Sequence, residues 1–211
     1  PHHRHTEASP QMDLSRGFEA YATERRAAGS EQIKKCGNLM RRLEREIGTV
    51  RFVAHSVDPA ALRQVLAWKS RQYRELSGRD LFQLDWFRAV VERIHGMDTP
   101  EFSGRLSLLY AGERLVAGHV AMKSRTVWHY WFPSYDPVYS KYSPGLVLLL
   151  KMAQNAGALG LKVIDMGRGD SPYKLRLMNG SVPLAEGSVE RPCLMTAARR
   201  FLTPVRKAQF R

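Results

Sequence analysis

Three strand-like runs follow one another between residues 105 and 132, and they limit most narrowly what the chain can fold into. Runs at 105–110, 115–124 and 127–132 are separated by "AGER" and "RT", connections of hairpin length, which predicts a three-stranded antiparallel meander. Helical spacing of apolar residues predicts helices over 13–28, 30–48, 60–76 and 84–95 ahead of it, with a short strand in "TVRFVAHS". Asp58-Pro59 opens the third of these helices as an N-cap followed by a first-turn proline. After the meander come a helix over 144–158, a strand over 162–166, a short helix near 172–178, a strand over 183–189 and a basic C-terminal helix. That order predicts an α/β fold with a mixed, largely antiparallel sheet and flanking helices.

The first twelve residues, "PHHRHTEASPQM", have no hydrophobic period and are expected to be loose, so His2, His3 and His5 read as a tail rather than as metal ligands. The lack of an initiator Met suggests residues 1–29 as a flexible start and remnant of a preceding unit, with the working domain at 30–211. The longest apolar run, residues 146–150, is far short of the roughly 18 residues of a membrane span. Cys36 and Cys193 have no partners at metal or disulfide-framework spacing, which makes a reducing cytoplasm the simplest compartment. The net charge is +13, and residues 99–211 hold 16 basic against 7 acidic side chains. Such a field favours anionic ligands without choosing among nucleotides, nucleic acid and acidic membranes.

Two turns carry candidate chemistry. In "YSKYSPGLVLLL", Ser143, Pro144 and Gly145 open an apolar helix, with Leu146 next and Lys141 two residues before. Unpaired amides at a positively polarised helix end can cradle a pyrophosphate; an ordinary Ser-capped helix has the same pattern. In "VIDMGRGDSPYKLRLMNG", an apolar strand ends at two glycines that permit a sharp turn, and Tyr173 follows beside Lys174. Lys174 can pair with Asp165, Asp170 or a ligand phosphate, and Tyr173 is either functional or a packing residue. The two turns are expected to face each other across one ligand site.

A transfer reaction also needs a base. His119 and His129 on the meander and Asp136 in the loop after it are the candidates. His119, following Gly118 on the middle strand, comes first because an imidazole with its usual pKa near 6.5 suits that work at neutral pH, the alternatives being a histidine satisfied by its neighbours in the sheet and a chain of water. Trp128, Tyr130 and Trp131 are able to hold a sugar ring or hydrophobic acceptor, or simply to fill core.

Together "MRRLEREIGTVRFVAHSVDPAAL" and "SYDPVYSKYSPGLVLLLKMAQNAGALGLKVIDMGRGDSPYK" resemble the CelD/BcsL-type branch of the GNAT acyltransferases, related to the Fem-type aminoacyltransferases. The resemblance runs from about Ile33 to Met178. It implies a sheet split by a V-shaped opening for acetyl-CoA or another acyl-CoA, with the helix at Pro144 under the pyrophosphate. It also implies Tyr173 as the group that protonates the departing thiolate: a phenol of pKa near 10, above a thiol near 8.5, is still protonated when that anion forms. Ordinary GNAT members carry more glycine where this chain reads Lys141 to Leu146, a departure the branch shares. The implied acceptor is a small molecule or saccharide linked to cell-envelope or exopolysaccharide synthesis, with no DNA partner and a homodimer compatible with the reading. Two alternatives stand beside it: a Fem-like enzyme using aminoacyl-tRNA, for which the basic second half is the RNA footprint, and a non-catalytic GNAT-like binding module.

Overall fold

The computed structural model describes residues 3–78 and 80–187. Cys193, the expected C-terminal helix and the last residues of the expected final strand lie outside them. Helices are α1 (Phe18–Ala27), α2 (Gln32–Glu46), α3 (Pro59–Ser77), α4 (Asp85–His95), α5 (Pro144–Asn155) and α6 (Pro172–Leu177). Strands are β1 (His3–Asp13), β2 (Val50–Val53), β3 (Phe102–Ala111), β4 (Arg114–Ser124), β5 (Val127–Tyr135), β6 (Val163–Asp165) and β7 (Gly180–Gly187). They form one sheet in the order β2-β3-β4-β5-β6-β1-β7. Every pairing is antiparallel except β5 with β6.

The meander forms β3 to β5 as its turns predict. On one face of the sheet α1, α2, α5 and α6 cover a core that includes Leu43, Leu109, Trp128, Leu148 and Ile164. On the other, α3 and Phe82 of the 3-10 turn at Leu81–Gln83 pack with α4 over Leu106, Leu108, Val120 and Phe132. Local signals explain the elements. Asp58 accepts the Ala60 amide at 2.8 Å and Pro59 takes the first turn of α3, whose end is marked by Gly78 at φ 64°. Where α3 crosses β4, only a glycine fits: a Cβ on Gly118 would lie 2.1 Å from Val65 Cγ2.

The chain's first segment differs from expectation. Residues 3–12, read as loose, and Asp13, read as a helix start, form a strand inserted between β6 and β7, and the helix begins only at Phe18. Its register gives the reason. Backbone pairing to β7 runs from His3 to Gln11 and pairing to β6 from Gln11 to Asp13, so regular hydrogen bonds hold a segment that has no amphipathic period. Pro10 is tolerated because its missing N–H falls just beyond the last β6 pair, Gln11 with Asp165. Ser9 and Met12 are buried to 1% exposure.

A register shift between Val120 and Met122 puts one extra residue on β5, a bulge at Tyr130 and Trp131. Before it, Trp128 and Tyr130 face the α5 side; after it, Phe132 faces α3.

Candidate active site

β5 and β6 pair only at Val127–Val163, Trp128–Ile164 and His129–Asp165. Past Asp165 the chain leaves β5, and the Met166 amide bonds to Pro10 of β1 at 3.0 Å instead. Parallel strands that part in this way open a gap between residues 131–135 and the Gly167–Gly169 turn, just past the point where a Cβ on Gly167 would meet Tyr130 O at 3.8 Å. Gly167 and Gly169 hold φ of 71° and 103°, a region that side chains disfavour, so the turn depends on glycine. Lys174 fastens it by donating to the carbonyls of Gly167 at 3.0 Å and Arg168 at 2.7 Å. This structural work occupies the amine that the sequence offered for a ligand.

Tyr173, one residue earlier on α6, is half-buried against the α5-side core. Burial raises its phenol pKa above the ordinary value, and burial raises that of Tyr130 much further, with Tyr173 adding to it. Neither hydroxyl bonds to a described residue. Two protonated, unengaged phenols thus stand on one side of the gap.

At the front of α5, Ser143 has φ 47° and ψ 54°, the one positive-φ residue other than glycine among the described residues. The kink turns its carbonyl onto the helix, where it accepts from Leu146 N at 2.9 Å and Val147 N at 3.2 Å. The Ser143 amide itself donates to Ser140, and Pro144 has no N–H. Of the several open amides expected, Gly145 alone keeps a free N–H, beside the Tyr135 ring. Lys141 is paired with Glu46 at 3.2 Å and lies over the Tyr142 ring. Hydrogen bonds from Tyr142, Arg42 and Lys141 lower the Glu46 carboxyl to about 2.

His119 is fully buried, and its Nε2 accepts the Trp131 amide at 3.0 Å, so its proton sits on Nδ1, where no partner meets it. Burial, then the nearby Lys69 charge, lowers its pKa to about 3. Tilted 34° against the Tyr130 ring with centroids 4.3 Å apart, it holds the bulge and offers no open basic nitrogen. Asp136 caps the 3-10 turn at Pro137–Tyr142 by accepting Val138 N at 3.0 Å. Trp131 stacks on Phe132 at 4.1 Å on the α3 side. Of the residues singled out from the sequence, Tyr173 and Lys174 therefore share the gap. Lys141, Ser143, Pro144, Gly145 and Leu146 lie at the front of α5, while His119, Asp136 and Trp131 support the backbone around it.

Sequence reasoning missed Lys69, whose pKa burial lowers to about 8 and whose amine donates to Pro133 O at 3.1 Å and Gln72 at 2.9 Å. It also missed a depression of about 130 Å³ lined by Trp68, Gln72, Tyr135 and Ser140, between α3 and the end of β5. No sequence motif marks either, because the helix and strand involved are far apart in the chain. Among the described residues no cluster has the make-up of a metal site, and no helix is long and apolar enough to cross a membrane.

The family model described as "Acetyltransferase (GNAT) domain" matches residues 30–175. The chain belongs to that family of GNAT acyltransferase domains. Its fold resembles three solved structures at low identity. These are the C-terminal domain of a candidate lysylphosphatidylglycerol synthetase from Agrobacterium fabrum (TM-score 0.54, 10% identity), a conserved protein of unknown function from Bacteroides thetaiotaomicron (0.53, 12%) and FemX (0.52, 10%). Each likeness covers 85% of this chain but only 59%, 59% and 60% of the other, so the chain spans less than two thirds of those proteins. No curated protein matches the chain.

Proposed function

We propose that this domain moves an acyl group from an acyl-CoA thioester to an amine or hydroxyl by direct attack, with Tyr173 protonating the departing thiolate. The single observation that supports this most is the Tyr173 phenol, half-buried beside the parting of β5 and β6 and bonded to no described residue. Its burial-raised pKa keeps it protonated at neutral pH. A thiolate forming in the same desolvated gap is more basic than in water, so the phenol first stabilises it as a donor and then gives up its proton. Gly145 N–H, at the positive end of the twelve-residue α5, fits one phosphate oxygen of the donor. Thioester chemistry supplies the activated carbonyl; the protein supplies placement, the proton and exclusion of water. By resemblance to the CelD/BcsL branch, the acceptor is a saccharide or small molecule of cell-envelope or exopolysaccharide synthesis, met in the cytoplasm.

The experiment is Tyr173→Phe. Transfer from acetyl-CoA, assayed against an amine and sugar panel, is expected to slow by about 10²–10⁴-fold. The thermal shift given by acetyl-CoA should stay as in the wild type. An unchanged rate would remove Tyr173 from the reaction.

A second reading takes aminoacyl-tRNA as donor. It is favoured by the sparse front of α5, where one amide is open and Lys141 is neutralised by Glu46, and by the excess of basic residues after residue 98. Binding to tRNA that weakens steeply with salt, with no thermal shift from CoA, would select it.

A further inference from the structure

Polar side chains from four strands meet where β5 and β6 part. Ser124, at the end of β4, has its Oγ 3.2 Å from His129 Nε2. His129 Nδ1 faces Asp165 Oδ2 at 3.7 Å, an ion-pair distance. The other Asp165 oxygen accepts from the buried Ser9 hydroxyl at 2.5 Å and from the Gly167 amide at 3.0 Å. Burial alone would raise the Asp165 pKa, but the contacts from His129, Ser9 and Gly167 outweigh it and hold the carboxyl below its ordinary value. Lys174 is the further cation acting on this pair, through Asp165.

A carboxylate facing Nδ1 favours the proton there and leaves the Nε2 lone pair for other work. Among the described residues only the neutral, rotatable Ser124 hydroxyl meets that lone pair. The contrast with His119 is direct: His129 has a side chain 38% exposed and no amide locked onto it.

The faces matter as well. Trp128, Tyr130 and Tyr173 lie on the α5 side, whereas side chains alternate along a strand, so His129 and Asp165 point to the opposite face. His129 and Asp165 are the last pair before β5 and β6 part, so both side chains stand at the edge of the opening. We propose that His129, oriented by Asp165, accepts the proton of the attacking amine or hydroxyl. This rests on the acyl-transfer reading above. The acceptor's nitrogen or oxygen bonds to the carbonyl carbon and its proton passes to His129 Nε2. The C–S bond then breaks, and the thiolate takes the proton of Tyr173. Solvent returns the imidazolium proton to the phenolate, so the enzyme ends unchanged. Asp165 is a positioning residue, as are Ser9 and Gly167, which orient it.

The test uses His129→Gln, His129→Gly and Asp165→Asn in the full chain, with donor thermal shifts, transfer rates and nitrogen NMR of the histidine rings. In the wild type His129 should carry its proton on Nδ1, and Asp165→Asn should weaken that preference. His129→Gln should bind donor as the wild type does yet transfer about 10²–10⁴-fold more slowly. Added imidazole should restore part of the rate in His129→Gly, and Asp165→Asn should lower kcat while leaving the donor KM unchanged. A working enzyme whose His129→Gln variant keeps the wild-type rate, or whose His129 is protonated on Nε2 alone, overturns this assignment and leaves the transferase reading standing. Wild-type protein that transfers from neither acyl-CoA nor aminoacyl-tRNA overturns both.

Discussion

His119 and His129 are ten residues apart in sequence on neighbouring strands, and their surroundings separate their chemistry. His119 is sealed in and stays neutral down to about pH 3, whereas in the unfolded chain it takes up a proton below its ordinary 6.5. The unfolded state therefore binds more protons in this window, and stability should fall as pH drops from 6.5 toward 3. His119→Leu should lose this contribution to the acid slope while costing about 1–3 kcal/mol at pH 7, because the Trp131 amide is left unsatisfied. Urea titrations of both proteins at pH 7 and pH 4 measure the difference. Sequence reading favoured His119 because the β5 bulge that seals it is invisible in "VWHYWF", where aromatic residues on both sides of the strand hide the alternation. The place of Tyr173 just after the glycine turn was legible because both lie in one local stretch of sequence.

At the scale of elements, the seam between α3 and β4 leaves no room for a side chain at residue 118. Gly118 lies under Val65, whose carbonyl also accepts the Ser134 hydroxyl at 2.8 Å. Gly118→Ala should destabilise the fold by about 1–3 kcal/mol, since the added methyl must push the helix off the sheet. Val65→Ala in the same chain should relieve part of that cost, and thermal melts of the two single variants and the double variant test the coupling. Helices and meander were readable here from capping residues, hairpin-length turns and apolar spacing. The strand at residues 3–13 was not, because its order comes from backbone partners near residues 163–165 and 180–187 rather than from its own side chains.

For the whole molecule, that strand ties β7 to the Asp165 end of the candidate site. It separates β6 from β7, buries Met12 in the core and supplies Ser9 to Asp165. Deleting residues 1–13 should abolish a single cooperative urea transition, because β6 would keep only its three pairs to β5. The pairing of His3 with Gly187 also has a consequence for synthesis. A growing chain emerging from the ribosome holds this segment idle until residues 163–187 have been made, and the late closure exposes sheet edges to misassembly in the interim. A permuted gene that moves residues 3–13 to directly after residue 187 would turn this distant step into a local one.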